Sequence, residues 1–289
     1  MSPLREKMLR DLTIRMFAPT TKESYIRAVS GLAKYYMIQP DKLTEEQLLD
    51  YIHFLSVDRK LSCSSINVAT AGLRFFYRET LGRNDMALAI PPRKNPKKLP
   101  EILSHDELKR LFTSVGNQKH RAMLMTAYSG GLRISEVIHL RVRDIDSGRM
   151  AIRVEGGKGG KDRYTILSQR LLTELRGYWR KYRPKDLLFP SPVKDGPLDR
   201  ATPDRVFNAA KKKAGIVKNV SFHSLRHTFA TNLLESGVDI RTIQILLGHS
   251  SITSTAIYLH VARQDVRAVK SPLDLIDMPA IDRLKRLRS

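Results

Sequence analysis

The sequence predicts a mainly α-helical protein with one small β-hairpin or sheet, arranged as two domains. Three observations support this fold class. Apolar residues recur at helical spacing through residues 1 to 90 and again after residue 104. A proline-rich basic stretch, "IPPRKNPKKLP", separates these two parts of the chain. Strand-like alternation is found on the two sides of a glycine-rich "GGKGGK" segment.

The first domain, residues 1 to 90, is predicted to contain four helices. Thr20 with Glu23, and Thr44 with Gln47, have the spacing of a capping box, which satisfies free N–H groups at a helix start. An amphipathic run follows each box, and a third run ends before a glycine. The segment ahead of the first box supplies the fourth helix.

The stretch at residues 91 to 100 is predicted to be a linker between the domains. Its four prolines disfavour a helix and favour an extended, semi-rigid connector. Its basic side chains could contact a DNA backbone, or the linker could be a solvated hinge, and composition does not separate these interpretations. The basic residues are Arg93, Lys94, Lys97 and Lys98.

The second domain is predicted to extend over residues 101 to 275, followed by a tail at 276 to 289. Ser104 and Glu107 form another capping box, and Thr202 is predicted to be the N-cap of a later helix. A double glycine interrupts the second helix of this domain just before "LRISE".

The hairpin of the second domain is predicted to have "GGKGGK" at its tip. Ile152 and Val154 alternate along the first strand, and Tyr164 and Ile166 are the apolar residues expected on the second. The four glycines allow the backbone of the tip to approach a ligand closely.

The charge balance indicates a polyanionic partner. The chain has 51 Lys and Arg against 29 Asp and Glu, a formal net charge of +22, which is typical of nucleic-acid-binding proteins. Ribosome-bound and membrane-surface proteins can be equally basic. No apolar run approaches the length of a membrane span, and the N-terminus lacks the apolar core of a signal peptide. We therefore expect a cytoplasmic, nucleoid-associated protein with no membrane partner.

The sequence contains no motif for a common cofactor. It lacks a P-loop, a dinucleotide-binding fingerprint and a paired-cysteine metal pattern. The single cysteine, Cys63, lies on a predicted helix without flanking positive charge, so it is interpreted as a small buried or half-buried residue. Any chemistry is therefore expected to come from side chains, without metal or ATP.

Six side chains have the chemistry needed to cleave a phosphodiester. Two arginines can neutralise charge that develops on the phosphate, a tyrosine can attack phosphorus, and a lysine can protonate the leaving oxygen. A tyrosine with an ordinary pKa of about 10 needs a base or dense positive charge nearby. The candidates are Arg133, Lys158, His223, Arg226, His249 and Tyr258.

Each candidate also has a structural interpretation. Arg133 could simply pair with Glu136, three residues later on the same helical face. His223 and His227 have the spacing of metal ligands, but no glutamate lies between them and no cysteine lies near, which disfavours a metal site. Lysines at a hairpin tip are usually solvated, and a lone tyrosine among apolar residues is usually a core aromatic.

Four motifs, taken in order, resemble those of the tyrosine recombinases of the phage-integrase family. They are "GLRISEVIHL", "GGKGGKDRYTIL", "HSLRHTFATNLLESG" and "IQILLGHSSITSTAIYLHV". The separations of 23 residues from Arg226 to His249 and nine from His249 to Tyr258 also fit the family. Within the family, the chain is similar to the short two-domain Xer and integron-type enzymes. The resemblance implies a SAM-like helical core-binding domain followed by a catalytic domain.

The resemblance also implies residue roles. Arg133 and Arg226 would hold the scissile phosphate, and Glu136 would orient the arginines. His223 would act as acid and base, and His249 would hydrogen-bond a phosphate oxygen. Lys158 would be the general acid and Tyr258 the nucleophile that forms a 3′-phosphotyrosine. Lys158 is preferred because it is the first lysine of the hairpin motif, whereas residue chemistry alone does not separate it from Lys161, which is expected to bind DNA.

The family's substrate is double-stranded DNA with specific recombination sites. Four protomers would assemble on two sites and exchange strands through a Holliday junction, and the C-terminal tail could be a helix lent to a neighbouring protomer or a frayed basic end. Two alternatives remain at this stage: a type IB topoisomerase with nearly the same active site, or a DNA-binding accessory protein whose catalysis has lapsed. The complete set of six residues disfavours the second.

Overall fold

The computed structural model describes residues 2–90, 99–156, 162–193 and 196–262. The chain divides into two compact units, Met1–Lys98 and Leu99–Ser289, called here the N-terminal unit and the catalytic unit. The first is helical, and the second combines helices with a single small sheet among its described residues. The predicted fold class is confirmed.

Four longer helices and one short helix form the described part of the N-terminal unit. They are α1 (Pro3–Ile14), α2 (Pro19–Tyr36), α3 (Glu45–Val57), α4 (Cys63–Phe75) and α5 (Asn84–Ala89), with a 3-10 turn at Pro40–Lys42 and a π-helical turn at Phe76–Thr80. Their apolar faces meet in a core that includes Leu12, Leu32, Leu48 and Leu73. Helix α2 makes its most extensive contact with α4.

Two predictions about helix starts in the N-terminal unit have different outcomes. At α3, Thr44 and Gln47 form the predicted capping box, with hydrogen bonds of 3.3 and 3.0 Å. At α2 the prediction is wrong, because the helix begins at Pro19 and Thr20 already lies inside its first turn. Proline is favoured at that position, since its fixed φ suits the helix and its missing N–H needs no partner there.

The catalytic unit contains eight helices in its described residues. They are α6 (His105–Thr113), α7 (Gln118–Ser129), α8 (Ile134–His139), α9 (Gln169–Tyr182), α10 (Ala201–Lys213), α11 (Phe222–Glu235), α12 (Ile240–Leu247) and α13 (Thr253–Ala256). Short 3-10 turns occupy Val142–Asp144 and Ile257–His260. The capping box of Ser104 and Glu107 is confirmed at α6. Thr202 is not an N-cap, because α10 begins one residue earlier.

An antiparallel sheet follows α8 in the order β1 (Ile145–Asp146), β2 (Ala151–Val154) and β3 (Arg163–Ile166). On β2, Ile152 and Val154 are buried as predicted. The strand expected around Tyr164 and Ile166 is present as β3, but these apolar residues do not face the core. Tyr164 and Ile166 are exposed, and the side chains that point inward are those of Arg163 and Thr165.

The catalytic unit has a main core and a smaller cluster beside it. The smaller cluster consists of Phe229, Ala230, Ile243, Leu247 and Tyr258. It connects α11, α12 and the turn after α13, so Tyr258 is packed against residues of both helices. Elsewhere, Cys63 is exposed at the start of α4, contrary to its predicted burial. Across the described ranges, no helix is both long and apolar enough to cross a membrane.

Candidate active site

Arg133 enters the site from the N-cap position of α8. The chain reaches it through Gly131, whose φ of +60° is a left-handed conformation that glycine adopts without strain. A Cβ on Gly131 would lie 2.4 Å from the ring of Phe229, so a side chain is also excluded by contact. The turn between α7 and α8 is therefore tight, and it directs Arg133 toward α11.

Glu136 is the acceptor at the centre of the site. Its carboxylate accepts hydrogen bonds from the backbone N–H and Nη1 of Arg133, both at 2.8 Å, and from Nη1 and Nη2 of Arg163 at 2.9 and 2.8 Å. Burial acts to raise the pKa of Glu136, but the hydrogen bonds and charges of Arg163 and then Arg133 outweigh it and lower the pKa to about 2. Glu136 is therefore ionised at neutral pH, and it fixes two arginines at once.

Arg163 is a site residue that sequence analysis missed. Its side chain is only 7% exposed, and besides the bidentate pair with Glu136 it donates from Nε to the carbonyl of Leu246 at 2.9 Å. This contact requires glycine at position 248, because a Cβ there would lie only 2.7 Å from the Arg163 side chain. Arg163 thus connects β3 to the start of α8 and the end of α12.

Arg226 projects from the first turns of α11 and is 1% exposed. Nη1 donates to the carbonyl of Gly131 at 2.7 Å, and Nη2 donates to the carbonyl of Leu247 at 2.6 Å. Burial, followed by the charge of Arg133, lowers the pKa of Arg226 to about 9, which still leaves the guanidinium charged at neutral pH. The two carbonyls and the nearby carboxylate of Glu136, 3.8 Å away, stabilise this buried charge.

His249 lies directly after the left-handed C-cap of α12. Its Nδ1 is 2.9 Å from Oγ1 of Thr255. Burial, then the charges of Arg226 and Arg133, lower the pKa of His249 to about 4, so the ring is neutral at neutral pH. The ring lies nearly parallel to that of Tyr258, with an interplanar angle of 12° and 6.5 Å between centroids.

Tyr258 lies in the 3-10 turn after α13 and is 2% exposed. Burial raises its pKa, and the charges of Arg226 and Arg133 act in the opposite direction. Its Oη is 3.2 Å from Nδ1 of His227. Both arginines therefore act electrostatically on the phenol, although they are remote from it in sequence.

His223 lies one turn before His227 on α11, and its side chain is exposed. The two rings are 4.7 Å apart and perpendicular. Partial desolvation and then the charges of Arg226 and Arg133 lower the pKa of His223. In the described parts of the chain, no group of three or more His, Cys, Asp or Glu side chains is arranged to hold a metal ion.

The structure thus brings together five of the six predicted catalytic residues, along with Glu136. Lys158, the sixth, lies outside the described residues, as do the predicted DNA contacts Arg93, Lys94, Lys97, Lys98 and Lys161. Two further residues belong to the site, Arg163 and His227. Strict alternation along β3 would have indicated an inward Arg163, and the i, i+4 spacing from His223 placed His227 on the same face of α11.

Comparison with known proteins agrees with this geometry. Residues 101–265 match the phage integrase family, and residues 4–85 match the N-terminal SAM-like domain of phage integrases. The chain belongs to the phage integrase family. The first match contains every described candidate residue of the site, from Arg133 to Tyr258.

Relatives of the integrase cover nearly its whole length. The protein y4qK of Sinorhizobium fredii, an integrase/recombinase by name, is 46% identical over 97% of this chain and 91% of its own. Tyrosine recombinase XerA of Pyrococcus furiosus is 34% identical over 95% of this chain and 98% of its own. The integrase is therefore a tyrosine-type site-specific recombinase, and these matches do not favour the topoisomerase or lapsed-enzyme alternatives.

Solved structures show the same fold. A crystal structure of XerA recombinase covers 91% of this chain and 94% of its own, with a TM-score of 0.53 and 31% identity. A lambda integrase tetramer bound to a Holliday junction covers 93% of this chain and 78% of its own, with a TM-score of 0.74 and 19% identity. At that identity the second comparison supports the fold alone.

Proposed function

We propose that the recombinase cuts and rejoins double-stranded DNA at specific sites through a covalent bond to Tyr258. The observation that carries this proposal is the convergence of residues that are 125 positions apart in sequence, from Arg133 to Tyr258. They supply a nucleophile, two fixed positive charges and neutral imidazoles in one place. This is the set of groups that phosphoryl transfer without a metal requires.

The two arginines would bind the scissile phosphate. A guanidinium has five N–H donors, and the carbonyls of Gly131 and Leu247 occupy two of those on Arg226. The remaining donors would bind phosphate oxygens once the site opens, since Arg226 is buried in this structure. Arg133 is half-buried with Nη1 bound to Glu136, so its orientation is fixed while part of its guanidinium stays accessible. Prepositioned donors stabilise charge that develops in the transition state without reorganising.

In the proposed cleavage step, Oη of Tyr258 attacks phosphorus and the bond from phosphorus to the 5′ oxygen breaks. A 3′-phosphotyrosine forms, and the free 5′ hydroxyl takes its proton from Lys158 as general acid. The reverse attack by a 5′ hydroxyl from a second strand rejoins the DNA and releases Tyr258. Because the phosphotyrosine conserves the energy of the broken bond, the cycle uses no ATP.

The histidines have separate proposed roles beside the phosphate. If Nδ1 of His249 accepts from the Thr255 hydroxyl, the ring carries its proton on Nε2, which can donate to a phosphate oxygen. His223, exposed at the edge of the site, would serve as acid and base: it would take the phenol proton of Tyr258 during attack and return it on rejoining. Tyr258 is buried, so attack requires its turn to shift and bring Oη to the phosphate.

Binding to DNA would extend beyond the active site. The net charge of +22 favours contact with many phosphates, and we propose that the basic linker residues and Lys161 contribute to it. A structural neighbour is a tetramer bound to a Holliday junction, and four protomers are proposed to assemble here as well. With such a substrate the recombinase would act at the nucleoid.

A nicked DNA substrate tests the covalent step. The substrate carries the cognate site, sought in the sequence flanking the gene, and covalent adducts are counted on a denaturing gel. We expect an adduct with the wild type and none with Tyr258→Phe, whereas Tyr164→Phe, which changes an exposed tyrosine of the same unit, should behave like the wild type. Adducts that persist in Tyr258→Phe would assign the attack to another tyrosine.

Lys158→Ala separates catalysis from binding. As a general acid, Lys158 should affect the cleavage rate by about 10²-fold or more and leave DNA affinity almost unchanged. Affinity and single-turnover cleavage are measured at one salt concentration, since affinity for DNA falls steeply with salt. An equal loss of affinity and rate would make Lys158 a backbone contact instead.

A further inference from the structure

We propose that Gln244 is a positioning residue that holds His249 where its ring reaches the scissile phosphate. The inference rests on the proposed role of His249 as a hydrogen-bond donor to a phosphate oxygen. Gln244 lies on α12, five residues before His249, and is only 6% exposed. In this role it acts on the reaction through His249 and does not contact the phosphate itself.

Gln244 binds both main-chain polar groups of His249. The backbone N–H of His249 donates to the main-chain carbonyl of Gln244 at 3.1 Å. The backbone carbonyl of His249 accepts from the side-chain Nε2 of Gln244 at 3.0 Å. Because one residue holds both sides of the His249 backbone, it fixes the direction in which the imidazole leaves the chain.

The partners of the Gln244 amide determine its orientation. Nη1 of Arg241 donates to Oε1 of Gln244 at 2.7 Å. A guanidinium can only donate and a carbonyl can only accept, so the amide oxygen faces Arg241 and the amide nitrogen faces the carbonyl of His249. A buried amide without partners is unfavourable, and these two contacts allow Gln244 to be buried in this orientation.

The end of α12 gives this arrangement a fixed geometry. Gly248 has a left-handed φ of +63°, and its N–H donates to the carbonyl of Ile245 at 3.0 Å. Together with the hydrogen bond from His249 to Gln244, this is a Schellman motif, which ends a helix at a defined residue. His249 is therefore the first residue after a helix end whose conformation is fully specified.

The last two carbonyls of α12 bind arginines of the site. Leu246 accepts from Nε of Arg163 at 2.9 Å, and Leu247 accepts from Nη2 of Arg226 at 2.6 Å. A helix leaves its last four carbonyls without partners of its own, and at α12 all four are satisfied. The helix end is thus fixed relative to the arginine that would bind phosphate, and Gln244 extends this framework to His249.

The second contact of His249 comes from a different element. Its Nδ1 meets Thr255 on α13, which leads directly into the turn of Tyr258. Attack requires that turn to shift, whereas the contacts made by Gln244 lie within α12 and the residue that follows it. The ring is also neutral, because burial and the charges of nearby arginines lower its pKa to about 4. A neutral donor depends on distance and direction, so Gln244 keeps His249 effective while the turn moves.

Gln244→Met tests the proposal in the full-length chain, since methionine has a similar length and lacks the amide. Single-turnover cleavage of the nicked substrate should slow on the order of 10²-fold, and by no more than His249→Ala slows it. DNA affinity should not change. Gln169→Met makes the same substitution at an exposed position on α9 and should cleave like the wild type. A wild-type rate in Gln244→Met, or a loss larger than that of His249→Ala, would overturn the proposal.

A double-mutant cycle distinguishes positioning from a general loss of structure. If Gln244 acts through His249, adding Gln244→Met to His249→Ala should slow cleavage little further. A full additional loss would show that Gln244 supports the whole unit, which would overturn the proposal.

Gln244→Glu is a second variant that keeps the contact with Arg241 and nearly the same volume. It places an acceptor against the carbonyl of His249, so it should also cleave slowly. Trp179 fluorescence during urea unfolding shows whether each variant is folded. A wild-type rate in folded Gln244→Glu would contradict the proposal even if Gln244→Met does not fold.

His249→Ala separates this inference from the proposed function. If His249→Ala cleaves like the wild type, the proposed role of His249 fails and the role of Gln244 fails with it. If His249→Ala is slow while both Gln244 variants are fast, only the role of Gln244 is removed.

Discussion

The N-terminal and catalytic units differ in what their cores contain. In the described residues of the N-terminal unit, Asp11 is the one charged side chain that is buried. The catalytic unit buries Arg163 and Arg226 and holds Glu136 between them. Burial of unpaired charge is strongly unfavourable. The core of the catalytic unit is therefore stable only if each buried charged side chain lies close to its ion-pair or hydrogen-bonding partner. The buried core of the first unit is therefore almost entirely uncharged, whereas the buried core of the second also contains a charge network.

The largest expected effect tests the charge network. Arg163→Met leaves the buried carboxylate of Glu136 without its bidentate partner, and it should lower the unfolding free energy of the catalytic unit by about 4 kcal/mol. The single tryptophan, Trp179, lies on α9 of this unit, so its fluorescence during urea unfolding follows the catalytic unit. Far-UV circular dichroism follows both units.

Arg153→Met is the matched control for Arg163→Met. Arg153 lies on the neighbouring strand β2, is 41% exposed and pairs with Asp162. Exposed ion pairs contribute about 0 to 1 kcal/mol, so this variant should unfold almost like the wild type. If both variants lose the same unfolding free energy, Arg163 stabilises the unit through its positive charge in general and not through the buried pair with Glu136.

Arg163 also shows how far the sequence predicts the site. The motifs name Arg133, Arg226, His249 and Tyr258, and the structure brings these four residues together in one region of the catalytic unit. Hydrophobic patterning does not reveal the inward face of β3, because its apolar residues Tyr164 and Ile166 are exposed. An inward arginine is favourable there only because Glu136 meets it from a helix 27 residues earlier, and such a partner does not appear in the local pattern.

Helix boundaries were predicted where a side-chain cap decides them. Thr44 and Ser104 are caps in the structure, and their helices start where predicted. Thr20 and Thr202 were also predicted to be caps, but each helix begins one residue before the threonine, at Pro19 and Ala201. At α2 the proline competes with the capping box for the first helical position, and local spacing does not reveal which one prevails.

A cavity in the N-terminal core should have the next largest effect. Leu73 on α4 is fully buried, and Leu73→Ala should lower the stability of the N-terminal unit by about 3 kcal/mol through lost apolar contact and an unfilled volume. Circular dichroism should show an earlier transition while Trp179 fluorescence stays unchanged. Val68→Ala on the same helix, at a 43% exposed position, should change little. A parallel shift of the fluorescence curve would show that the two units unfold together.

Acid should weaken the catalytic unit through Glu136. Its pKa is lowered from an ordinary 4.5 to about 2 in the folded protein, so its contribution to stability is fully present above about pH 4.5. That contribution is lost as the pH falls toward 2, because the unfolded state then binds the proton first. The loss should be about 2 to 3 kcal/mol. Trp179 fluorescence gives the unfolding free energy of wild type and of Glu136→Gln at each pH. The difference between the two free energies should shrink as the pH falls from 4.5 toward 2. A difference that stays constant would contradict an ionic role for Glu136.

The smallest expected effect compares one capping box in each unit. Thr44→Ala and Ser104→Ala each remove a side-chain acceptor from a helix N-terminus and should each lower stability by about 1 kcal/mol. In each box the backbone N–H of the cap also donates to the side chain three residues later: Thr44 N–H to the neutral amide of Gln47 at 3.0 Å, and Ser104 N–H to the carboxylate of Glu107 at 2.7 Å. Glu107 also accepts from Lys218 at 2.7 Å, so it stays anchored after Ser104→Ala. Thr44→Ala should therefore shift the dichroism transition alone, and Ser104→Ala should shift Trp179 fluorescence by a similar or smaller amount. If Thr44→Ala also shifts the Trp179 fluorescence transition, the units share their stability and the contrast between a packed core and a charge network no longer separates them.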